Sequence, residues 1–246
     1  MSLEERYEWR QSADGSYTLY SKEYEECYHS VKDGALREAL KKHVEPAFEL
    51  TQKSHLRILD ICFGLGFNTL ATLYHFSKQK RVKSLEIFSP ELDATLLKTL
   101  PSFPYPKPLE PFVPVISRLI EHGKYEASNI SIELRVMDAR EYIKTLSDID
   151  IVYQDAFSPK KNPSLWTVEY FQDLYTITDE NMILTTYSIA TPVRMALAEA
   201  GFMVYERSVK GVKKITIASK KSLPLLAIDM KAKAKRSTSK PLRDRE

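Results

Sequence analysis

The chain has 246 residues, 43% of them hydrophobic, so it can bury one substantial core but is too short for two full-size domains. Its formal net charge of +3 hides an asymmetry, because residues 220–246 carry nine Lys and Arg against three Asp and Glu. No apolar run approaches the roughly 20 residues that cross a bilayer, and two cysteines without metal-ligand spacing argue against a zinc or redox function.

Residues 1–46 form an extension ahead of the main domain. The first ten residues are charged where a signal peptide would turn apolar, so we expect a cytoplasmic protein. Asp14 and Gly15 lie between two aromatic runs and predict a turn, and the pattern of residues 34–44 predicts a helix. We interpret the extension as a cap on the substrate side of the main domain.

Residues 47–219 alternate short apolar runs with helical periodicity, which is typical of parallel strands buried between crossover helices. The pattern predicts a Rossmann-like α/β fold with a mostly parallel seven-stranded sheet. The last two strands are close enough in sequence to form an antiparallel hairpin. The predicted strands are 57–62, 84–88, 131–137, 149–155, 182–187, 202–208 and 213–219; the predicted helices are 69–77, 90–100, 139–146, 165–176 and 191–200.

Two segments break this alternation. Six prolines between positions 101 and 114 exclude a regular helix or central strand there, so residues 101–129 are interpreted as an insertion and a second candidate cap. The basic tail, residues 220–246, lacks apolar periodicity beyond position 231, which predicts that this part is disordered.

A glycine loop follows the first predicted strand of the main domain. Asp60 is followed by Phe63, Gly64 and Gly66, where glycine permits a tight turn and close approach of the backbone to a ligand. Asn68 is predicted to cap the next helix. A nicotinamide-binding loop would have a third glycine where this chain has a threonine, so a dinucleotide is disfavoured.

Acidic residues after other strands sharpen the prediction. Glu86, 20 residues after the loop, is expected to accept hydrogen bonds from two ribose hydroxyls, and Asp60 to meet an ammonium group. Asp138 is expected to accept from an adenine amino group while the N–H of Ala139 donates to the ring. Together these residues predict a site for S-adenosylmethionine.

Asp155 ends the fourth strand, where the methyl acceptor sits in this fold, and is the predicted catalytic residue. A carboxylate orients an acceptor amine by accepting its N–H bonds. The ordinary pKa of an aspartate, about 3.9, against about 10.4 for an alkylammonium means that such a carboxylate alone does not remove the proton. The amine must arrive neutral or have its pKa lowered by desolvation and a neighbouring cation.

Residues 155–166 resemble the signature Asp-x-Phe-x-Pro-x-x-Asn-Pro-x-x-Trp of MnmC-type methyltransferases. The glycine loop, the segment after Asp138 and the residues before the last hairpin are also similar, so the resemblance covers about residues 14–219. It implies a class I S-adenosylmethionine-dependent methyltransferase that methylates the amine of 5-aminomethyl(-2-thio)uridine at the tRNA wobble position. It also implies that Asp155 contacts this amine.

The resemblance further implies partners for this protein, and the chain differs from the family pattern at a few positions. The family's domain is often fused to an FAD-dependent oxidase that removes a carboxymethyl group, and none follows here, so we expect a stand-alone methyltransferase domain served by a separate oxidase or by enzymes that make the aminomethyl group. Residues 213–216 read Lys-Lys-Ile-Thr where the family usually has Lys-Arg-Glu-Met, and Ala190 replaces a common glycine.

Contacts with the anticodon stem-loop of tRNA are expected around this loop. Aromatic side chains stack on a splayed base, and cations contact phosphates without reading sequence. The candidates are Tyr28, His29, Phe157, Pro159 and Trp166 for the base, and Lys160, Lys161, Arg207, Lys210, Lys213 and Lys214 for phosphates.

Two other classes of function stay open at this point. An aminopropyltransferase similar to polyamine synthases, or another small-amine N-methyltransferase, shares the fold, although the glycine loop lacks the acid that polyamine synthases carry there. A non-catalytic RNA-binding module with an unused cofactor fold is the other alternative.

Overall fold

The computed structural model of the protein describes residues 3–244, which contain two sheets. The small N-terminal sheet is antiparallel, and the large sheet forms the centre of the molecule. The strands are β1 (Tyr7–Gln11), β2 (Tyr17–Ser21), β3 (Glu26–Cys27), β4 (His55–Ile61), β5 (Ser84–Glu91), β6 (Lys124–Ala127), β7 (Ile130–Val136), β8 (Ile149–Gln154), β9 (Thr178–Thr186), β10 (Met203–Arg207) and β11 (Ile215–Ser219).

The helices cover both faces of the large sheet. Within residues 3–244, no helix combines the length and apolarity that crossing a bilayer requires. The α-helices are α1 (Leu3–Arg6), α2 (Ala35–Glu38), α3 (Glu45–Leu50), α4 (Phe67–Lys78), α5 (Ala94–Leu97), α6 (Val113–His122), α7 (Ala139–Ile143), α8 (Val168–Ile177), α9 (Thr191–Glu199) and α10 (Met230–Arg236).

The large sheet has the strand order β10-β11-β9-β8-β4-β5-β7-β6. Its five central strands are parallel, and β10 and β11 form an antiparallel hairpin at one edge. The predicted mostly parallel sheet with a terminal hairpin is therefore confirmed. One strand was not predicted: β6 pairs antiparallel with β7 at the opposite edge, which makes eight strands instead of seven.

Each face of this sheet carries its own apolar core. Alternate residues of β4 show the division, because Ile58 packs in the core under α4 and α6 while Leu59 packs in the core under α7, α8 and α9. The order of the strands reverses at β4, which lies between β5 and β8. Ligands of open α/β sheets bind outside the carboxyl ends of the strands at such a switch point.

The N-terminal extension forms a hairpin, a short third strand and a long helical segment. β1 and β2 pair around the predicted turn at Gly15, which has a positive φ of 83°. The predicted helix is longer than expected, because α2 continues through a π-helical stretch, Ala39–Val44, into α3. Glu45 N–H donates to the carbonyl of Leu40, five residues back, and Pro46 follows without an N–H to restore the α-helical pattern.

Some of the predicted elements differ from the structure. The predicted helix at 90–100 is wrong, because β5 extends to Glu91 and only the single turn of α5 follows. Asp93 precedes this turn, and its carboxylate accepts from the N–H groups of Thr95 and Leu96. The proline-rich segment packs beside α4, where Tyr105 Oη donates to the Leu65 carbonyl at 2.8 Å.

The basic tail is also ordered where disorder was predicted. Val168 N–H donates to the carbonyl of Leu242 at 2.9 Å, and α10 occupies Met230–Arg236. Arg140 makes two hydrogen bonds of 2.7 Å to Asp244. Sparse apolar side chains and specific ion pairs therefore hold the tail on the outer helices; positions 245 and 246 lie outside the described residues.

Candidate active site

A cavity of about 1190 Å³ opens at the carboxyl ends of β4, β5, β7 and β8. Its other wall is the N-terminal extension, including residues 21–33. No residue of 101–129 lines this cavity, so the expectation of a second cap there is wrong. Ten of the predicted site residues line it: Tyr28, His29, Phe63, Gly64, Asn68, Asp138, Ala139, Asp155, Phe157 and Pro159.

The glycine loop is folded tightly against both walls. Gly64 and Gly66 have positive φ values of 54° and 74°, and a Cβ added at Gly66 would lie 3.0 Å from Phe63 Cζ. A Cβ at Gly64 would lie 3.1 Å from the Tyr28 ring. Gly66, not Asn68, is the cap residue of α4, which corrects the predicted cap. Gly66 itself does not line the cavity; it shapes the turn.

Glu86 does not reach the cavity, so its predicted contact with the cofactor ribose is wrong. It is the third residue of β5, exposed to solvent, and its carboxylate pairs with Arg57 at 2.6 Å. The acid at the end of this strand is Glu91, which is buried and lines the cavity. Glu91 accepts the N–H groups of Gly64 and Asp93, each at 2.8 Å, with its two oxygens.

Glu91 is therefore the acid placed to accept hydrogen bonds from a vicinal diol. Each carboxylate oxygen has a second lone pair, and burial raises the pKa of Glu91. We expect Glu91→Gln to weaken S-adenosylmethionine binding about 10-fold to 100-fold, as expected for charge-assisted hydrogen bonds. Glu86→Gln is the matched control and should bind within twofold of wild type in calorimetry. If Glu86→Gln weakened S-adenosylmethionine binding more than Glu91→Gln, Glu86 would be the acid that accepts from the diol.

Asp60 also lies away from the cavity. Its side chain is fully buried beneath the loop and accepts from Thr69 Oγ1 at 2.9 Å and Asn68 Nδ2 at 3.3 Å. The predicted contact of Asp60 with an ammonium group is therefore wrong, and Asn68, which does line the cavity, is the candidate in its place. Burial raises the pKa of Asp60 to about 7, and the neighbouring Asp155 adds to the rise.

Asp155 has a nitrogen atom close to each of its carboxylate oxygens. Asn68 Nδ2 donates to its Oδ2 at 2.9 Å, and Nε2 of His43 lies 3.3 Å from its Oδ1. The Asp155 side chain is only 8% exposed, and it lines the cavity. Reasoning from the sequence missed His43, because it lies in the π-helical stretch of the extension, where apolar periodicity indicates only a core position.

An aromatic slot formed by Tyr24, Tyr28 and Phe157 lies beside Asp155. The rings of Tyr24 and Phe157 are stacked, with centroids 4.5 Å apart, and Tyr28 lies 4.8 Å from Phe157. Trp166 is completely buried, and its Nε1 donates to the Phe157 carbonyl at 2.8 Å. The predicted base contact of Trp166 is therefore wrong: Trp166 positions the loop that carries Phe157.

The extension contributes a buried charged group to the same cavity. Lys42 is 3% exposed and lies 2.8 Å from Asp33 Oδ2 and 2.6 Å from Glu38 Oε1. Burial by itself would lower the pKa of Lys42, but the two carboxylates raise it. His29 is buried beside this group, with its Nδ1 3.8 Å from Oε2 of Glu38. It therefore lines the cavity as part of a polar cluster. Lys160, by contrast, is exposed and does not line the cavity.

Comparison with known proteins agrees with this geometry. A sequence profile described as S-adenosyl-L-methionine-dependent methyltransferase matches residues 105–222. The crystal structure of MnmC2 from Aquifex aeolicus superposes with a TM-score of 0.84 at 35% identity, covering 97% of this chain and 79% of that one. The chain belongs to the MnmC-type methyltransferase family. The class I fold and the cofactor S-adenosylmethionine follow from this membership.

Longer relatives match over part of their length. An uncharacterized protein from Methanocaldococcus jannaschii is 37% identical over 224 residues, 89% of this chain and 61% of that protein. The bifunctional protein MnmC of Burkholderia multivorans, named for tRNA 5-methylaminomethyl-2-thiouridine biosynthesis, is 30% identical over 213 residues. This match covers 75% of the chain and 30% of the bifunctional protein. The chain thus spans under two thirds of these relatives.

The residues of the cavity fit the family's cofactor. Asn68 Oδ1 is buried without a hydrogen-bond partner among the described residues, which suits an ammonium donor. Asp138 caps α7 through one oxygen, Oδ1, leaving Oδ2 and the N–H of Ala139 on the cavity side for adenine. With Glu91 as the candidate for the ribose, the ammonium group, the adenine and the ribose of the cofactor each have a candidate polar partner in this site.

The departures from the family pattern have a structural role here. Thr216 Oγ1 donates to the Ser188 carbonyl at 2.7 Å and accepts from Arg194 Nε at 2.8 Å. Arg194 also binds Glu206 at 3.0 Å. These bonds hold the Ser188–Ala190 segment at the cavity wall, so the altered hairpin still supports the site.

Proposed function

We propose that the protein methylates the amine of 5-aminomethyl(-2-thio)uridine at the wobble position of tRNA, giving the methylaminomethyl product. One observation carries the proposal: the Asp155 carboxylate, with Oδ2 bonded to Asn68 and Oδ1 3.3 Å from His43 Nε2, lies at the cavity wall beside the aromatic slot. The printed names of the bifunctional relatives point to the same modified nucleoside.

The arrangement suits an amine acceptor. The cofactor, when bound, supplies an electrophilic methyl group on a sulfonium sulfur. The acceptor nitrogen forms the new N–C bond with its lone pair, the C–S bond breaks towards sulfur, and the product is a secondary ammonium that loses one proton to water. Asp155 accepts an N–H of the amine, which directs the lone pair towards the methyl group.

The cavity rim suits RNA. Lys210 and Lys213 are exposed on the loop between β10 and β11, and among residues 3–244 neither has an ion pair. A Cβ at Gly211 in this loop would lie 3.9 Å from Arg37, so the loop and the extension bring their cations together. Other predicted phosphate contacts already have carboxylate partners: Lys161 with Glu25, Arg207 with Glu49, and Lys214 with Glu206.

Aminopropyl transfer receives less support. Spermidine synthase from Thermotoga maritima superposes with a TM-score of 0.52 at 16% identity, a likeness of fold alone. The glycine loop of this chain carries no acid between Phe63 and Asn68. Methyl transfer and aminopropyl transfer both act on an amine, so only the product distinguishes the two reactions.

Nucleoside analysis of tRNA tests the proposal. Transfer RNA bearing 5-aminomethyluridine, with or without the 2-thio group, is incubated with the protein and S-adenosylmethionine, then digested and analysed by mass spectrometry. We expect a gain of one methyl group on the aminomethyl nucleoside. Unchanged aminomethyluridine, or methylation of another nucleoside, would reject the wobble assignment. Conversion of putrescine with decarboxylated S-adenosylmethionine would favour the aminopropyltransferase.

The reaction needs a primary amine made in an earlier step. We infer that an FAD-dependent oxidase removes a carboxymethyl group, or that enzymes install the aminomethyl group directly. Both sources give the same primary amine, so both are compatible with the site.

A further inference from the structure

His43 is a buried histidine that the cofactor site does not require. It is fully buried, and its Nδ1 lies 3.1 Å from Thr185 Oγ1 on β9. Its Nε2 lies 3.3 Å from Asp155 Oδ1 but is not aligned as a regular hydrogen bond. The rings of His43 and Tyr153 are in a T-shaped arrangement, with their centroids 5.8 Å apart. The imidazole is therefore clamped between two strands, with one nitrogen facing the carboxylate.

The two contacts define one neutral tautomer. A carboxylate only accepts hydrogen bonds, so the proton of the neutral ring belongs on Nε2, facing Asp155. Nδ1 is then an acceptor, and the hydroxyl of Thr185 donates to it. The hydroxyl of Thr185 on β9 thus orients the ring of His43, and this ring orients the carboxylate of Asp155.

We propose that His43 is a positioning residue that orients Asp155 towards the acceptor amine. Asn68 of the glycine loop holds Oδ2 and His43 of the extension faces Oδ1, so the carboxylate is defined by the cofactor loop and by the extension together. The contact between Nε2 and Oδ1 is longer than a regular hydrogen bond, and catalytic contacts of this kind often tighten in the reacting complex. This inference rests on the proposed amine methylation.

The π-helical stretch accounts for the position of the ring. Its wider turn, marked by the bond from Glu45 N–H to the Leu40 carbonyl, rotates the residues between them relative to an α-helix. His43 thereby points to the sheet while Lys42 lines the cavity. A π-helical turn at a functional residue is a recurrent arrangement.

Variants of His43 separate positioning from packing. His43→Leu keeps an apolar side chain of similar size without a donor, whereas His43→Gln places an amide N–H near the position of Nε2. We expect His43→Leu to lower kcat about 10-fold to 100-fold, since small misplacement of a reacting group has this cost. The dissociation constant for S-adenosylmethionine should stay within twofold of wild type. His43→Gln should recover most of kcat.

His75→Leu is the matched control. This half-buried histidine lies on α4 against Phe48 and does not line the cavity, so its loss should leave kcat unchanged. A kcat for His43→Leu within twofold of that of His75→Leu would overturn the proposal. Failure of His43→Gln to recover kcat, with equal thermal stability, would also overturn it, because the donor would then be irrelevant.

The pH profile gives a readout that packing alone does not move. The titratable groups that face His43 are Asp155, Asp60 and Tyr153. His43→Gln keeps a donor beside Asp155 but removes the imidazole, so the acid limb of kcat/KM should shift in this variant and stay in place in His75→Leu. An acid limb that is identical in all three proteins would argue against the proposal.

An NMR experiment keeps this inference separate from the proposed function. Long-range ¹H–¹⁵N spectra of the free protein should show the Nε2–H tautomer of His43 in wild type and a change of its Nε2 signal in Asp155→Ala. The opposite tautomer, or a signal indifferent to Asp155, would overturn the proposed contact. Absence of methylated tRNA with the predicted tautomer present would instead reject the substrate alone.

Discussion

Asp155→Ala is expected to lower the turnover of aminomethyluridine tRNA by about 10²-fold to 10⁴-fold, the range of a positioned acid–base group. The variant removes the acceptor for the amine and leaves the donors Asn68 and His43 without their carboxylate. The affinity for S-adenosylmethionine should change little, because the partners for ribose and adenine are on other strands. Single-turnover rates and calorimetry measure the two quantities separately.

The control for this experiment is Asp148→Asn. Asp148 is exposed and has a positive φ of 57°, a conformation that Asn accepts readily, so this variant should keep the wild-type rate. A rate for Asp155→Ala within threefold of wild type would refute the role of this carboxylate. A loss of cofactor affinity as large as the loss of rate would instead place Asp155 in cofactor binding.

Asp60→Asn is expected to change how stability depends on pH. Burial raises the pKa of Asp60 to about 7 in the folded protein, from an ordinary value of 3.8. Between these values the folded state holds a proton that the unfolded state has released, so the free energy of unfolding falls as pH rises and levels off above about 7. At about 1.36 kcal/mol per pH unit, the wild type should lose about 2 to 3 kcal/mol between pH 5 and pH 8 from this group.

The asparagine variant should lack this contribution. Urea unfolding at pH 5 and pH 8 gives the two free energies, and the loss between them should be about 2 to 3 kcal/mol smaller in Asp60→Asn than in wild type. Asp148→Asn again serves as the control and should lose as much stability as wild type. Equal losses in wild type and Asp60→Asn would show that the buried carboxyl does not hold the proton.

The protonation of Asp60 also affects the surroundings of Asp155. Asp60 shares Asn68 with Asp155, so the protonation of a buried acid is linked to the amide that holds the reacting carboxylate. Below about pH 7, a protonated Asp60 also avoids a second negative charge close to Asp155, which limits the cost of burying both. The site therefore has the carboxylate that we propose for the amine at the cavity and a second acid beneath it.

Local sequence determined most of the fold and the centre of the site. The glycine loop, Asp138 with Ala139, and the loop from Asp155 are each made by a strand end and the residues directly after it. Such features depend on neighbours in the chain, since the turn needs glycine and a buried strand needs consecutive apolar residues. The terminal hairpin followed from the same local patterns, whereas the order of the strands came from the structure.

Only the tertiary structure decided which acid of the second strand of the main domain reaches the cavity. The strand containing Glu86 was predicted to end at position 88, but pairing with β7 extends it to Glu91. The end of a strand depends on the partner that continues beside it, and sequence does not show this partner. The ordered tail is similar: Leu242 and Asp244 have their partners in α8 and α7, far away in the chain.

The partners of Asp155 show the same division. Its position after β8 was determined by the sequence, whereas its orientation depends on Asn68 and on His43, which is more than 100 residues earlier. A histidine among apolar residues of a helix has no local signal for such a contact. The sequence by itself therefore determined the chemical groups at the strand ends, and the tertiary structure decided which of them face each other, because these contacts form only when the extension packs on the sheet.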